Sequence, residues 1–392
     1  MKGILCLAWR YVWFHRWQTA ILWICLTLTF FLPVAIHFLL GNFQRTLWAR
    51  SEATPMVMGA KGSRFDLVFH ALYFGGRTPE MISVAEADAV RETGFAQVVP
   101  LYVNFRARGY PIVGTSLEYF EIRGLRMAAG RLLFRLGECV VGASVAEALE
   151  LEVGDSLMSD PENVFNIAGG YPLKMRVVGV LSRLDSADDE AVFVDIKTAW
   201  IIAGIGHGHM DLEAAADDSV VLRRSDSNIV ANAALVQYME ITDQNIDSFH
   251  FHAASGERPL SGLLVFPRDV KSGTLLRGRY NTRESRLQVL RPREVVSEMM
   301  RTVMKARRFL DLNSFLVTVI AGLFLVLVTL LSLRLREKEM ETLFLLGCRR
   351  GTVLGLVATE FGLVFLASGL STVVLTLMAY SSFELWLNRM LG

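Results

Sequence analysis

The sequence predicts a membrane protein in which three transmembrane α-helices, or four, carry a large α+β domain outside the cytoplasm. Three observations predict it. Hydrophobic residues make up 52% of the 392 positions, more than soluble domains use, yet 20% are charged, too many for a chain lying wholly in lipid. The apolar residues concentrate in three runs of membrane-spanning length. Residues 42–311, between the first two runs, are mixed in pattern and numerous enough to bury their own core.

The elements follow in order. Residues 1–18 are an amphipathic cytoplasmic segment containing Lys2, Arg10 and Arg16. The first span, 19–41, begins TAILWICLTLTFFLPVAIHFLL and holds no Asp, Glu, Lys or Arg. At about 1.5 Å per residue it crosses the roughly 30 Å of hydrocarbon. It is too long for the core of a cleaved signal peptide, and no small-residue cleavage site follows it. Pro33 is expected to kink it, and His37 lies near its far interface. The second span covers 312–333 and the third 352–380, the latter interrupted only by Glu360, with a tail at 381–392. Basic residues precede the first span and fill the loop 334–351, as Arg334, Arg336, Lys338, Arg349 and Arg350. The positive-inside rule therefore places both in the cytoplasm and 42–311 outside.

Within 42–311, Thr78-Pro79 ahead of EMISVAEADAVRETG offers an N-cap and a first-turn proline, predicting a helix. VVPLYVNFRA, LKMRVVGVLS and AVFVDI are rich in β-branched and aromatic residues and predict strands. GASVAEALELEVGD predicts a short helix leading into a turn. The polar stretch 206–218 is a candidate boundary between two lobes. RPREVVSEMMRTVMKARRFLDLNSFLVTVI has no Gly or Pro after Pro292. It predicts one continuous helix from about Glu294 to about Arg336, of which 294–311 is a stalk outside the membrane.

Several function classes are excluded. Net charge is +1, without the basic excess of a nucleic-acid-binding surface. Cys6, Cys25, Cys139 and Cys348 are too scattered for a disulfide framework or a zinc ribbon. No G-x-S-x-G or H-E-x-x-H occurs, and Asp188-Asp189-Glu190 and Asp217-Asp218 read as solvated turns. The nearest approach to a phosphate-cradling loop, Gly59-Ala60-Lys61-Gly62-Ser63, lacks the required spacing, so this chain is not expected to hydrolyse ATP. Glu360 is costly in lipid and is expected to face a protein interface or a polar cavity.

Four of the seven histidines form two His-X-His pairs, His207/His209 and His250/His252. SFHFHA reads as a strand, on which residues two apart share a face, so His250 and His252 suit a common metal. GHGHMD reads as a glycine loop with Met210 and Asp211 as further donors. Together the pairs would form a tetrahedral zinc site if the fold joins them. The plainer alternative is a solvent loop beside an unrelated strand face.

In LREKEMETLFLLGCRRG, Leu343 and Leu346 repeat at helical spacing, Arg336, Lys338 and Glu339 line a polar face, and Gly347 ends the helix. Such an amphipathic helix between two spans suits docking on a soluble partner; a solvated turn is the alternative. The string Arg336-Glu337-Lys338-Glu339-Met340, followed by Leu343, Leu346-Gly347, Arg349-Arg350-Gly351 and Glu360, resembles the loop and third helix of FtsX/MacB/LolC-type permeases of ATP-binding cassette (ABC) systems. GECVVGASVAEALELEVGDSL, residues 137–157, is similar to the signature of their MacB-type periplasmic core domain. MGAKGSRFDLVFHALYFGG, residues 58–76, resembles a subgroup of the same permeases.

The resemblance implies a permease subunit of the bacterial inner membrane that pairs with a separate cytoplasmic ABC ATPase and relays ATP-driven motion to a periplasmic domain. ATP and magnesium would sit on that partner, leaving zinc at the histidines as this chain's own candidate cofactor. Arg336, Glu339, Met340, Leu343, Leu346, Gly347, Arg349 and Arg350 would couple it to the ATPase. A permease homodimer or heterodimer is implied, with a periplasmic or lipoprotein partner as a further expectation. The family usually has a fourth span where this sequence shows three, and Phe344 stands where the family often has arginine. A regulator of a periplasmic hydrolase, as in FtsX relatives, and a membrane sensor without an ATPase are the alternative functions.

Overall fold

The structure, a computed structural model, describes residues 2–161, 172–208, 221–225, 228–231, 238–251, 253–335, 337, 341–342, 345 and 350–391. The chain divides into two compact units, one made of residues 1–45 and 299–389 and the other of residues 46–298 with the last three residues.

The first unit is helical. Helix α1 (Lys2–Phe14) precedes α2 (Arg16–Glu52), which passes through Pro33. Among the described residues three helices are long and apolar enough to cross a membrane, at Arg16–Gly41, Pro292–Leu331 and Gly355–Ala379. The last lies in the final helix, Arg350–Leu391. This helix packs on α2 through Ser368 and Thr372, which recur with Thr376 every four residues and are buried. Ser368 Oγ donates to the Trp23 carbonyl at 3.3 Å and Thr372 Oγ1 to the Thr27 carbonyl at 3.4 Å. Small hydroxylated residues allow close backbone approach in lipid and satisfy their own polarity across the seam.

The second unit is a mixed α/β domain. It opens with β1 (Met56–Ala60) and α3 (Arg64–Tyr73), whose N-cap Ser63 accepts from the Asp66 N–H. Then come β2 (Ile82–Ser83) and α4 (Val84–Glu92). The helix expected from Thr78-Pro79 thus starts at Val84. Ser83 and Glu86 form a reciprocal capping box there, and residues 82–83 are held in a ladder with Pro259 and Leu260. A better cap and a strand pairing outcompete the Thr-Pro signal.

Next follow β3 (Ala96–Ala107), β4 (Tyr110–Thr115), α5 (Glu118–Arg123), β5 (Met127–Gly130), β6 (Glu138–Val141), α6 (Ala143–Leu149), β7 (Ser156–Met158) and β8 (Lys174–Leu181). A short 3-10 turn at Ala187–Glu190 leads to β9 (Val192–Asp195) and α7 (Ile196–Ile202). Four small strands follow, β10 (Gly206–Gly208), β11 (Val221–Ser225), β12 (Asn228–Ala231) and β13 (Phe249–Phe251). The domain closes with β14 (Pro259–Leu260), β15 (Gly262–Pro267), α8 (Val270–Tyr280), β16 (Leu287–Leu290) and the start of α9 (Pro292–Leu335).

Ten of the strands form one sheet in the order β16-β1-β15-β3-β4-β9-β6-β8-β5, with β7 paired to β8. Only β4/β9 and β6/β8 are parallel in it. β1 and β6 are buried along their whole length, and their near-continuous apolar runs are what a strand covered on both faces requires. The three strands expected from VVPLYVNFRA, LKMRVVGVLS and AVFVDI are β3, β8 and β9. The helix expected over GASVAEAL is α6, ended by Glu150 in the left-handed conformation. Residues 46–298 form one compact unit; of the candidate boundary 206–218, residues 206–208 are strand rather than loop and 209–218 lie outside the described residues.

Candidate functional site

A buried ion pair fastens the end of α2 into the mixed domain. Arg50, in the last turn of α2, donates through Nη1 to Asp188 Oδ2 at 2.6 Å and through Nη2 to Asp188 Oδ1 at 2.9 Å. Its Nη2 also reaches the Tyr119 hydroxyl at 2.9 Å, and that hydroxyl donates to Asp188 Oδ1 at 2.6 Å. The guanidinium lies over the Phe74 ring, 5.3 Å from its centre. Burial alone would push the Asp188 pKa up, but the Arg50 charge and the Tyr119 hydrogen bond outweigh it and hold the carboxyl below its usual 3.8. Burial likewise opposes the Arg50 charge, and Asp188 and Tyr119 more than restore it.

The acidic turn therefore departs from expectation. Asp188 and Asp189 are 2% and 3% exposed, not solvated. Asp189 accepts from the backbone amides of Leu184 and Ser186, and Asp188 meets Arg50 from 138 residues upstream. A fork-shaped cation with a bidentate partner makes such burial tolerable. Asp217-Asp218 lie outside the described residues.

The 137–157 stretch packs directly on this turn. Gly142 precedes α6, and a side chain there would overlap the Asp188 and Asp189 carbonyl oxygens, so the close approach demands glycine. Glu138 accepts from the amides of Phe134 at 2.9 Å and Arg135 at 3.0 Å and pairs with Arg131, folding the loop that leads into β6. Burial pushes the Cys139 thiol up to about 12, so it is packing material rather than a nucleophile.

The sequence-predicted histidines are brought together in part. β10 and β13 pair antiparallel with His207 directly opposite His250, their rings 4.9 Å apart and inclined at 67°. His209 and His252 lie outside the described residues. Among the described residues no group of three or more His, Cys, Asp or Glu gathers as a metal site. His37 is 3.6 Å from Asp311 within the helical unit.

Of the loop residues, Arg336, Glu339, Met340, Leu343, Leu346, Gly347 and Arg349 lie outside the described residues, and Arg350 is the first residue of the final helix. Glu360 is half-buried on that helix. The Arg50–Asp188–Tyr119 cluster was missed by sequence reasoning. Its one available signal was an arginine in WARSE, set directly after the apolar Leu47-Trp48-Ala49.

Three membrane-length apolar helices and a large mixed α/β domain define a membrane protein with an extracytoplasmic domain. A family model described as the MacB-like periplasmic core domain matches residues 36–236. The chain belongs to that family, the FtsX/MacB-type ABC transporter permeases. Two solved structures are similar to it. The periplasmic region of MacB from Actinobacillus actinomycetemcomitans shares 12% identity over 65% of this chain and 97% of that one, with a TM-score of 0.36. The extracellular domain of the noncanonic ABC-type transporter YknZ from Gram-positive bacteria shares 13% identity over 60% of this chain and 98% of that one, with a TM-score of 0.31. No curated protein sequence matches.

Proposed function

We propose that this chain is a permease subunit of the bacterial cytoplasmic membrane that converts the closure of a separate ABC ATPase into movement of its extracytoplasmic domain. One observation carries the reading. α2 runs into β1 and β16 runs into α9, and these two strands are neighbours, with Val57 opposite Leu290 and Ala60 opposite Leu287. The ladder is reinforced by Gln288 Nε2, which donates to the Ala60 carbonyl at 2.9 Å. A displacement of either membrane helix along its axis would therefore arrive at one edge of the large sheet.

Two features support transmission rather than tethering. α9 is a single helix over 44 residues, Pro292–Leu335, with one residue between it and β16. From Arg293 to Ala321 it contains neither Gly nor Pro, and a helix stretch without them resists bending because every turn keeps its hydrogen bonds. Arg50 clamps the end of α2 to Asp188 inside the domain, so motion of α2 would reach the 3-10 turn as well as β1.

On this reading, 42–311 faces the periplasm, and the loop 334–351 docks on the ATPase through Arg336, Glu339, Met340, Leu343, Leu346, Gly347, Arg349 and Arg350. Nucleotide and magnesium belong to that partner, because this chain has no phosphate-cradling loop. Two permease chains, identical or homologous, would form the working unit, since three spans are too few to enclose a pathway. Co-purification tests the docking: the double variant Glu339→Ala/Leu343→Ala should lose the ATPase and its stimulated hydrolysis. Retention of both would remove the loop from the coupling path.

A further inference from the structure

We infer that His207 and His250 form a binding site for a borderline transition-metal ion such as Zn²⁺, Cu²⁺ or Ni²⁺ on the β10/β13 ribbon. The two imidazoles come from strands far apart in sequence and meet as a directly opposed cross-strand pair. Their ring centres are 4.9 Å apart. With metal–nitrogen bonds of about 2.0–2.1 Å, each ring centre lies about 3.2 Å from a shared ion, and an inter-ligand angle of about 100° separates them by about 4.9 Å. The observed spacing is compatible with two imidazoles sharing one ion.

The hydrogen bonding of His250 suits coordination. His250 Nδ1 lies 3.0 Å from the Ser248 carbonyl, which can only accept, so Nδ1 carries the hydrogen. That tautomer turns Nε2 to the coordinating role, and a carbonyl-held imidazole is the usual supporting arrangement for a metal-ligating histidine.

The opposite face of the ribbon fixes this one. Phe249 and Phe251 pack against the hydrophobic core, and Phe251 meets Trp200 edge-on at 6.3 Å. The residues across from them are Gly208 and Gly206, where added side chains would overlap the two phenyl rings. The side-chain period of two then directs His207 and His250 away from the aromatic face, leaving His207 half-buried and His250 exposed. Imidazole donors favour zinc, copper and nickel over magnesium and calcium, and the remaining coordination positions fall to water or to an incoming ligand. An ion here would pin two strands together while keeping open positions, which suits reception of a metal or a metal-bound cargo rather than catalysis.

The test uses the full chain in nanodiscs without a polyhistidine tag, titrated calorimetrically with zinc chloride and separately with nickel chloride. The wild type and His37→Ala should show a saturable site that weakens at least about tenfold in His207→Ala and in His250→Ala. Metal-free melting curves identify any variant that fails to fold. Should His207→Ala fail, His250→Ala decides, because His250 is exposed and its loss leaves the core intact. The absence of a wild-type site, or wild-type isotherms for the folded variants, overturns the assignment. The ATPase docking test is independent of this outcome.

Discussion

Arg50 and Asp188 form a doubly hydrogen-bonded ion pair whose side chains are 7% and 3% exposed, joining the last turn of α2 to a 3-10 turn 138 residues later in the chain. A pair this deep is of little net benefit compared with apolar residues, but the loss of one partner strands a buried charge.

Asp188→Asn should therefore destabilise the domain by about 3–5 kcal/mol, whereas Arg50→Met/Asp188→Leu should cost far less or nothing. Thermal unfolding of the full chain in detergent measures both. A double variant as damaged as the single one would show that the pair matters for more than charge balance.

The same pair sets a pH dependence. Because the folded Asp188 pKa lies below the usual 3.8, the pair contributes stability that is present above about pH 4 and is lost as pH falls through the folded value. The wild-type melting temperature should fall relative to that of Arg50→Met/Asp188→Leu as pH drops from 5 to about 2. Parallel curves for the two proteins would contradict the assignment.

Gly142→Val should destabilise by about 1–3 kcal/mol or more, since its side chain must displace the Asp188 and Asp189 carbonyls. Gly278→Ala, where an added methyl meets nothing, is the control and should be neutral or slightly stabilising. Equal effects from the two would deny Gly142 its special role.

Ser368→Leu should weaken the seam between α2 and the final helix, where Ser368 is fully buried against the Trp23 carbonyl. A disulfide trial reads it: cysteines placed at Phe30 and Phe365, whose ring centres are 6.0 Å apart, should cross-link less in the variant.

The readable parts of this molecule were those written in local pattern. Long apolar runs marked the three membrane-length helices, β-branched runs marked β3, β8 and β9, and the absence of Gly and Pro from 293 to 321 marked the start of α9. What escaped depended on distant partners. Asp188 looks solvated until Arg50 reaches it, and Pro79 looks like a helix start until Ser83 and Glu86 provide a better one. Gly206 and Gly208 argue for a loop by propensity, yet they form strand because glycine alone leaves room for the phenyl rings of β13.

On the proposed function, ATP-driven motion travels along α9 and α2 to the sheet edge formed by β16 and β1. Electron–electron resonance distances between spin labels at Val270, an exposed position on α8, test it in a paired complex reconstituted with the ATPase, using a background without native cysteines. The label-to-label distance should change on ATP binding and cease to change when Lys305→Pro breaks α9. An unchanged distance with ATP in the intact chain, or an undiminished change in the broken one, would contradict it.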